Sequence, residues 1–73
     1  IDHKSELQEL LQQNGEVEIN YELISETGPD NDLVFTVQVS AANQVLAKGS
    51  GHSKKAAEQN AANKALQKLR NRN

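Results

Sequence analysis

Hydrophobic positions along this 73-residue chain change their spacing twice. Leu7, Leu10 and Leu11 recur at the interval of one helical face, and Asp2 stands ahead of them as a residue able to accept from the free amides of a helix start. The helix so predicted runs to about Gln13, where Asn14-Gly15 stops it. From Glu18 the interval becomes two: Ile19, Tyr21 and Leu23 alternate with Asn20 and Glu22, a strand that ends at Thr27-Gly28-Pro29. The stretch from Gly28 to Asp32 is too polar and too rich in turn formers to continue it. Phe35, Val37 and Val39 then alternate with Thr36, Gln38 and Ser40, and Val45, Leu46 and Ala47 follow a short turn at Asn43, which predicts a hairpin of a second and a third strand. After Ser53 the helical interval returns, with Ala57, Ala61, Ala62, Ala65, Leu66 and Leu69 on one broad face as far as about Leu69. Small side chains let a helix axis lie close to a sheet, so these alanines are read as packing surface. Glu58 falls within that face, and the positive end of the helix accounts for its charge. The predicted fold class is α+β, in the order αβββα: a three-stranded antiparallel sheet with two helices packed on one face.

Length and composition narrow the function. Residues 1–73 make one small domain with no room for a second core, and a chain without methionine that starts at Ile1 is expected to be a fragment of a longer protein. With no cysteine there is neither a disulfide framework nor a thiolate nucleophile. His3 and His52 lack partners at metal-ligand spacing, so no metal site and no cofactor are expected in this piece. No apolar run approaches bilayer-spanning length and no charged-then-apolar leader opens the chain, which leads us to expect a soluble, cytoplasmic protein with no membrane partner.

The net charge of −2 hides a sorting of charges. Residues 1–47 carry nine carboxylates against Lys4 alone, a balance of −8, whereas residues 48–73 carry Lys48, Lys54, Lys55, Lys64, Lys68, Arg70 and Arg72 against Glu58, a balance of +6. Lys68, Arg70 and Arg72 also complement the negative end of the last helix. The most informative segment is Gly49-Ser50-Gly51-His52-Ser53-Lys54-Lys55. Gly49 and Gly51 are read as allowing a sharp turn into the helix, Ser53 can cap the exposed amides, and Lys54 and Lys55 stand where a helix already presents partial positive charge. A polyanion suits this arrangement; an ordinary capped surface helix with two solvated lysines has the same residues. On the first helix, Ser5, Gln8, Glu9 and Gln12 gather opposite the leucines, a face of hydrogen-bonding groups that also reads as plain solvated surface.

The αβββα order, the pattern Gly-Pro-x-x-x-x-x-Phe at 28–35 and the run Gly-Ser-Gly-x-Ser-Lys-Lys-x-Ala-Glu-Gln-x-Ala-Ala at 49–62 together resemble the double-stranded RNA-binding domain over nearly the whole chain. The opening Asp2-x-Lys4-Ser5-x-Leu7-Gln8-Glu9-Leu10 is similar to the start of the C-terminal RNA-binding domain of the bacterial ribonuclease III family. A-form RNA hides its base edges in a deep, narrow major groove and displays 2′-hydroxyls in a shallow minor groove, so a duplex reader needs neutral groups for ribose and cations for phosphate. The resemblance implies that Ser5, Gln8 and Glu9 enter one minor groove. It implies that the loop carrying Pro29, Asp30 and Asn31 meets the next, and that Ser53, Lys54 and Lys55, with His52 beside them, hold phosphates across the major groove between. Family members commonly carry a histidine in that loop. Asp30 and Asn31 stand in its place, Asn31 able to bond ribose while Asp30 and Asp32 repel phosphate.

The resemblance further implies that the fragment itself has no catalytic residues. Its parent would be an endoribonuclease, a homodimer whose separate catalytic domain holds magnesium on clustered carboxylates. Two alternatives stay open on the sequence: a module of the same fold that pairs with protein, favoured by the acidic loop, and an RNA-binding domain attached to another RNA-modifying enzyme such as a deaminase or helicase.

Overall fold

In the computed structural model the described residues are 2–71, so Arg72 of the basic C-terminal group lies outside them. The chain forms α1 (His3–Leu11), β1 (Ile19–Thr27), β2 (Val34–Ala41), β3 (Gln44–Gly51) and α2 (Lys54–Arg70). The strands form one antiparallel sheet in the order β1-β2-β3, as their alternation predicts. α2 packs against β2 and β3, and α1 packs against α2. Leu7 of α1, Val39 and Ala47 of the sheet, and Ala61, Ala62, Ala65 and Leu66 of α2 form the buried core.

α1 ends at Leu11, two residues short of the expected Gln13, because the chain turns at once. Gly15 N donates to Gln12 O, the Gln12 side chain donates to Val17 O, and Gly15 takes a φ of +127°. Both edge strands depart from strict alternation. Ile24 is an extra residue between the pairs Leu23–Val37 and Ser25–Thr36, and Leu46 is an extra residue between Val39–Ala47 and Ser40–Val45. The second bulge lets Leu46 and Ala47 both reach the core side, which explains why the apolar run 45–47 does not alternate. The β2–β3 turn holds Ala42 and Asn43 at φ of 52° and 64°, the left-handed pair that matches the twist of a two-residue hairpin.

Gly49 and Gly51 correct one expectation. They do not form a turn before α2; they belong to β3, opposite Val37 and Phe35, and neither has a positive φ. Their value is the missing side chain. A Cβ on Gly49 would lie 2.1 Å from Ala61 N and 2.6 Å from Ala61 Cα, so α2 crosses the strand backbone itself at this point. Glycine beneath and alanine above allow that approach, which fixes where the basic start of α2 emerges from the sheet.

Candidate nucleic-acid interface

Ser53 is the N-cap of α2: its Oγ accepts from Ala56 N at 3.0 Å, and its carbonyl accepts from Ala57 N. Lys54 and Lys55 follow, both exposed, and among the described residues neither side chain has an ion-pair or hydrogen-bond partner. The helix start therefore offers two uncommitted ammonium groups beside its own partial positive charge.

The β1–β2 loop shares this end of the sheet, because Glu26, Phe35 and Gly51 lie in one register row. Gly28, at φ +99°, makes the sharp departure from β1; a Cβ there would press to 2.7 Å from Asp32 O. Asp32 N donates to Pro29 O at 2.9 Å, closing a tight turn that leaves Pro29, Asp30 and Asn31 exposed at its tip. The loop is tied to the approach to α2 by His52 Nε2, 3.2 Å from Asp32 Oδ1, an exposed contact that becomes an ion pair when the imidazole is protonated. When His52 is protonated, its charge offsets that of Asp32 and with it part of the repulsion expected of an acidic loop.

α1 is attached to the same region by a side chain that periodicity does not reveal. Gln59, in the second turn of α2, accepts on Oε1 from His3 N at 2.8 Å and Lys4 N at 3.4 Å, and donates from Nε2 to Asp2 Oδ1 at 2.8 Å. Asp2 is the N-cap of α1, accepting from Lys4 N and Ser5 N and from the Ser5 hydroxyl at 2.8 Å. The Gln59 amide, and after it Ser5, holds the Asp2 carboxyl at about 2, below the usual carboxylate range. Gln59 therefore acts on the helix start and on its cap at once. Beside it, Lys4 Nζ lies 2.7 Å from Glu58 Oε1 and 4.6 Å from the Tyr21 ring centre, so the sole cation of residues 1–47 is used within the fold. Burial, with the negative charges of Glu58 and Asp2, pushes the Tyr21 phenol up to about 12. The positive helix end accounts for Glu58 only in part; its partner is Lys4.

Ser5, Gln8 and Glu9 are all exposed on α1. The Ser5 proton points to Asp2, which leaves the hydroxyl oxygen as an acceptor; Gln8 both donates and accepts, and Glu9 accepts. The site residues expected from the sequence thus fall into three segments: α1, whose start is held by Gln59 of α2; the β1–β2 loop, whose Asp32 meets His52; and the start of α2 itself. Chemically this is a surface with acceptors suited to hydroxyl groups and cations suited to phosphate. Tyr21 and Phe35, the chain's aromatic residues, are partly buried in the sheet rather than standing out as stacking platforms.

Residues 3–69 match the family model described as double-stranded RNA binding motif, and the chain belongs to that family. It is a double-stranded RNA-binding domain. Among individual proteins it is similar to "Ribonuclease 3" of Pediococcus pentosaceus, 74% identical over 70 residues, and to "Ribonuclease 3" of Ligilactobacillus salivarius, 56% identical over 70 residues. Each alignment takes in 96% of this chain and 30% of the relative. "Ribonuclease 3" of Latilactobacillus sakei subsp. sakei is 54% identical over 69 residues, which cover 94% of this chain and again 30% of the relative. The chain thus spans about 30% of the length of the curated relatives it matches.

Proposed function

We propose that this domain is the substrate-binding arm of a ribonuclease III-type endoribonuclease and that it grips duplex RNA by shape, with no reading of sequence. The capped start of α2 with its exposed Lys54 and Lys55 supports this reading, together with the ties of α1 to Gln59 and of the β1–β2 loop to His52. In it, Ser5, Gln8 and Glu9 bond ribose 2′-hydroxyls in one minor groove, and Pro29, Asp30 and Asn31 meet the next minor groove. Lys54 and Lys55, with the capped amides behind Ser53, hold phosphates of the major groove between them; His52 adds a further donor when protonated. Families of this kind cover about 16 base pairs, a property of the class rather than of this chain.

Cutting is assigned to the rest of the parent. Among the described residues there is no group of three or more His, Cys, Asp or Glu that could hold a metal ion. The parent is proposed to be a cytoplasmic homodimer whose own carboxylates hold magnesium; for this chain, no helix among the described residues is long and apolar enough to cross a membrane.

Salt dependence tests the phosphate grip. Because each phosphate contact releases condensed counterions, Lys54→Ala and Lys55→Ala are each expected to weaken duplex-RNA binding alike on unrelated sequences and to lower the salt slope by about one unit. A folded double variant with unchanged affinity and slope would overturn the grip and favour a protein partner for this surface.

A further inference from the structure

The strand order leaves β1 and β3 as open edges, and the two edges are unlike. Among the described residues the exposed large hydrophobic side chains are Leu23, Ile24 and Val45, all on these two strands. Beside Val45 a groove of about 740 Å³ runs between β3 and the last turns of α2, with Leu46, Ala65 and Leu69 in its lining and Lys64 and Lys68 on it. An adjoining recess brings in Lys48. Among the described residues no carboxylate pairs with these three lysines; Lys68 Nζ donates instead to Leu46 O at 3.2 Å. The β3 edge is therefore apolar and basic. On the other side of the sheet, β1 carries exposed Glu22 and Glu26, with exposed Glu18 just before it, around Leu23 and Ile24. That edge is apolar and acidic.

We propose that the two edges are complementary halves of a self-association surface, the acidic β1 edge of one copy seating against the basic groove between β3 and α2 of another. The groove calls for an extended acidic segment with apolar side chains, and β1 is such a segment already present in the molecule. Like edges repel, so a two-fold contact of one patch with itself is disfavoured. The contact is instead head to tail: a pair leaves one edge free on each of its two copies, and so can propagate. Bulges at Ile24 and Leu46 interrupt the regular ladder of both edges, so the contact is short and salt-sensitive rather than a continuous sheet. Because Lys64 and Lys68 lie in the C-terminal half of α2, away from Lys54 and Lys55, this inference stands whether or not the RNA-binding reading does.

The test is a dilution series of the chain followed by backbone NMR and sedimentation, up to about 1 mM protein so that weak contacts register. Concentration-dependent shifts are expected on both β1 and the β3–α2 groove at low salt. They should vanish near 1 M salt, where the Debye length is about 3 Å. Two folded variants, Lys64→Glu with Lys68→Glu, and Glu18→Lys with Glu22→Lys, should each lose association by on the order of tenfold or more, and mixing the two should restore it. A chain that stays monomeric at every concentration, shifts confined to one edge, or a mixture of the two variants that fails to associate would overturn the proposal. Binding of an unrelated acidic peptide by a chain that remains monomeric would also overturn it, and would assign the groove to another partner.

Discussion

Replacing Gln59 with leucine removes both ends of the clamp between the helices while keeping the side chain's approximate size. The amide oxygen accepts from His3 N and Lys4 N, but Lys4 N also donates to Asp2 Oδ1 at 3.1 Å, so the chief loss is the partner of the partly buried His3 amide. A net intramolecular hydrogen bond of this kind contributes about 1 kcal/mol. For a domain of this size that corresponds to a fall in Tm of about 4–8 °C. The figure rests on the backbone bond alone, because the Asp2 carboxylate is solvated. Asp2 reports the other end of the clamp. With its main donor gone, its carboxyl should titrate above the about 2 it has now, as read by NMR of the side-chain carbonyl carbon. A depressed carboxyl pKa stabilises the fold above the unfolded value of about 3.9, and that stability is lost as pH falls through the folded value of about 2. In the variant this acid-sensitive window narrows. On the proposed binding mode, duplex-RNA affinity should fall while the salt slope assigned to Lys54 and Lys55 stays unchanged, since the perturbation loosens α1 and leaves the start of α2 as it is. An unaltered Asp2 midpoint together with an unaltered Tm would refute the clamp.

Gly49→Ala should be among the most damaging single substitutions, because its Cβ meets the backbone of Asn60 and Ala61 rather than a yielding side chain. A loss of about 3 kcal/mol, the upper end for overpacking, is expected in denaturant unfolding, and a loss under about 1 kcal/mol would contradict the close crossing of α2 over β3. The Tyr21 phenol should ionise near 12 rather than 10 in phenolate absorbance. A raised folded pKa makes this contribution to stability complete below pH of about 10 and lost as pH rises through about 12; a midpoint at about 10 would contradict the partly buried position of the ring beside Glu58 and Lys4.

Local pattern made most of the architecture legible. β2, buried at alternate positions Val37, Val39 and Ala41, alternates as its sequence does, and the alanine face of α2 is buried where the helical period puts it. The Ser53 cap and the uncommitted Lys54 and Lys55 were equally plain, because capping and exposure at a helix start are set within one turn. What local pattern missed depends on partners far along the chain. Gln59 meets Asp2 across 57 positions, and nothing in the spacing of either helix announces it. Gly49 and Gly51 carry the same residue type whether a chain turns or another element crosses it; only the position of α2 distinguishes the two. The bulges at Ile24 and Leu46 follow from cross-strand register, which alternation along one strand does not contain. The contact of His52 with Asp32 joins two loops that the sequence separates and the sheet brings to one end.

The claim that α1 reads ribose is tested most directly by two duplexes of one sequence, about 16 base pairs long, one of RNA and one of DNA, titrated with the chain at equal salt. The DNA duplex keeps the phosphates for Lys54 and Lys55 but lacks the hydroxyls for Ser5, Gln8 and Glu9. Binding to RNA should be much the tighter of the two, and Gln8→Ala should narrow the gap by weakening RNA binding alone. Equal affinity for both duplexes would contradict the minor-groove role of α1 and reduce the surface to a cationic patch at the start of α2.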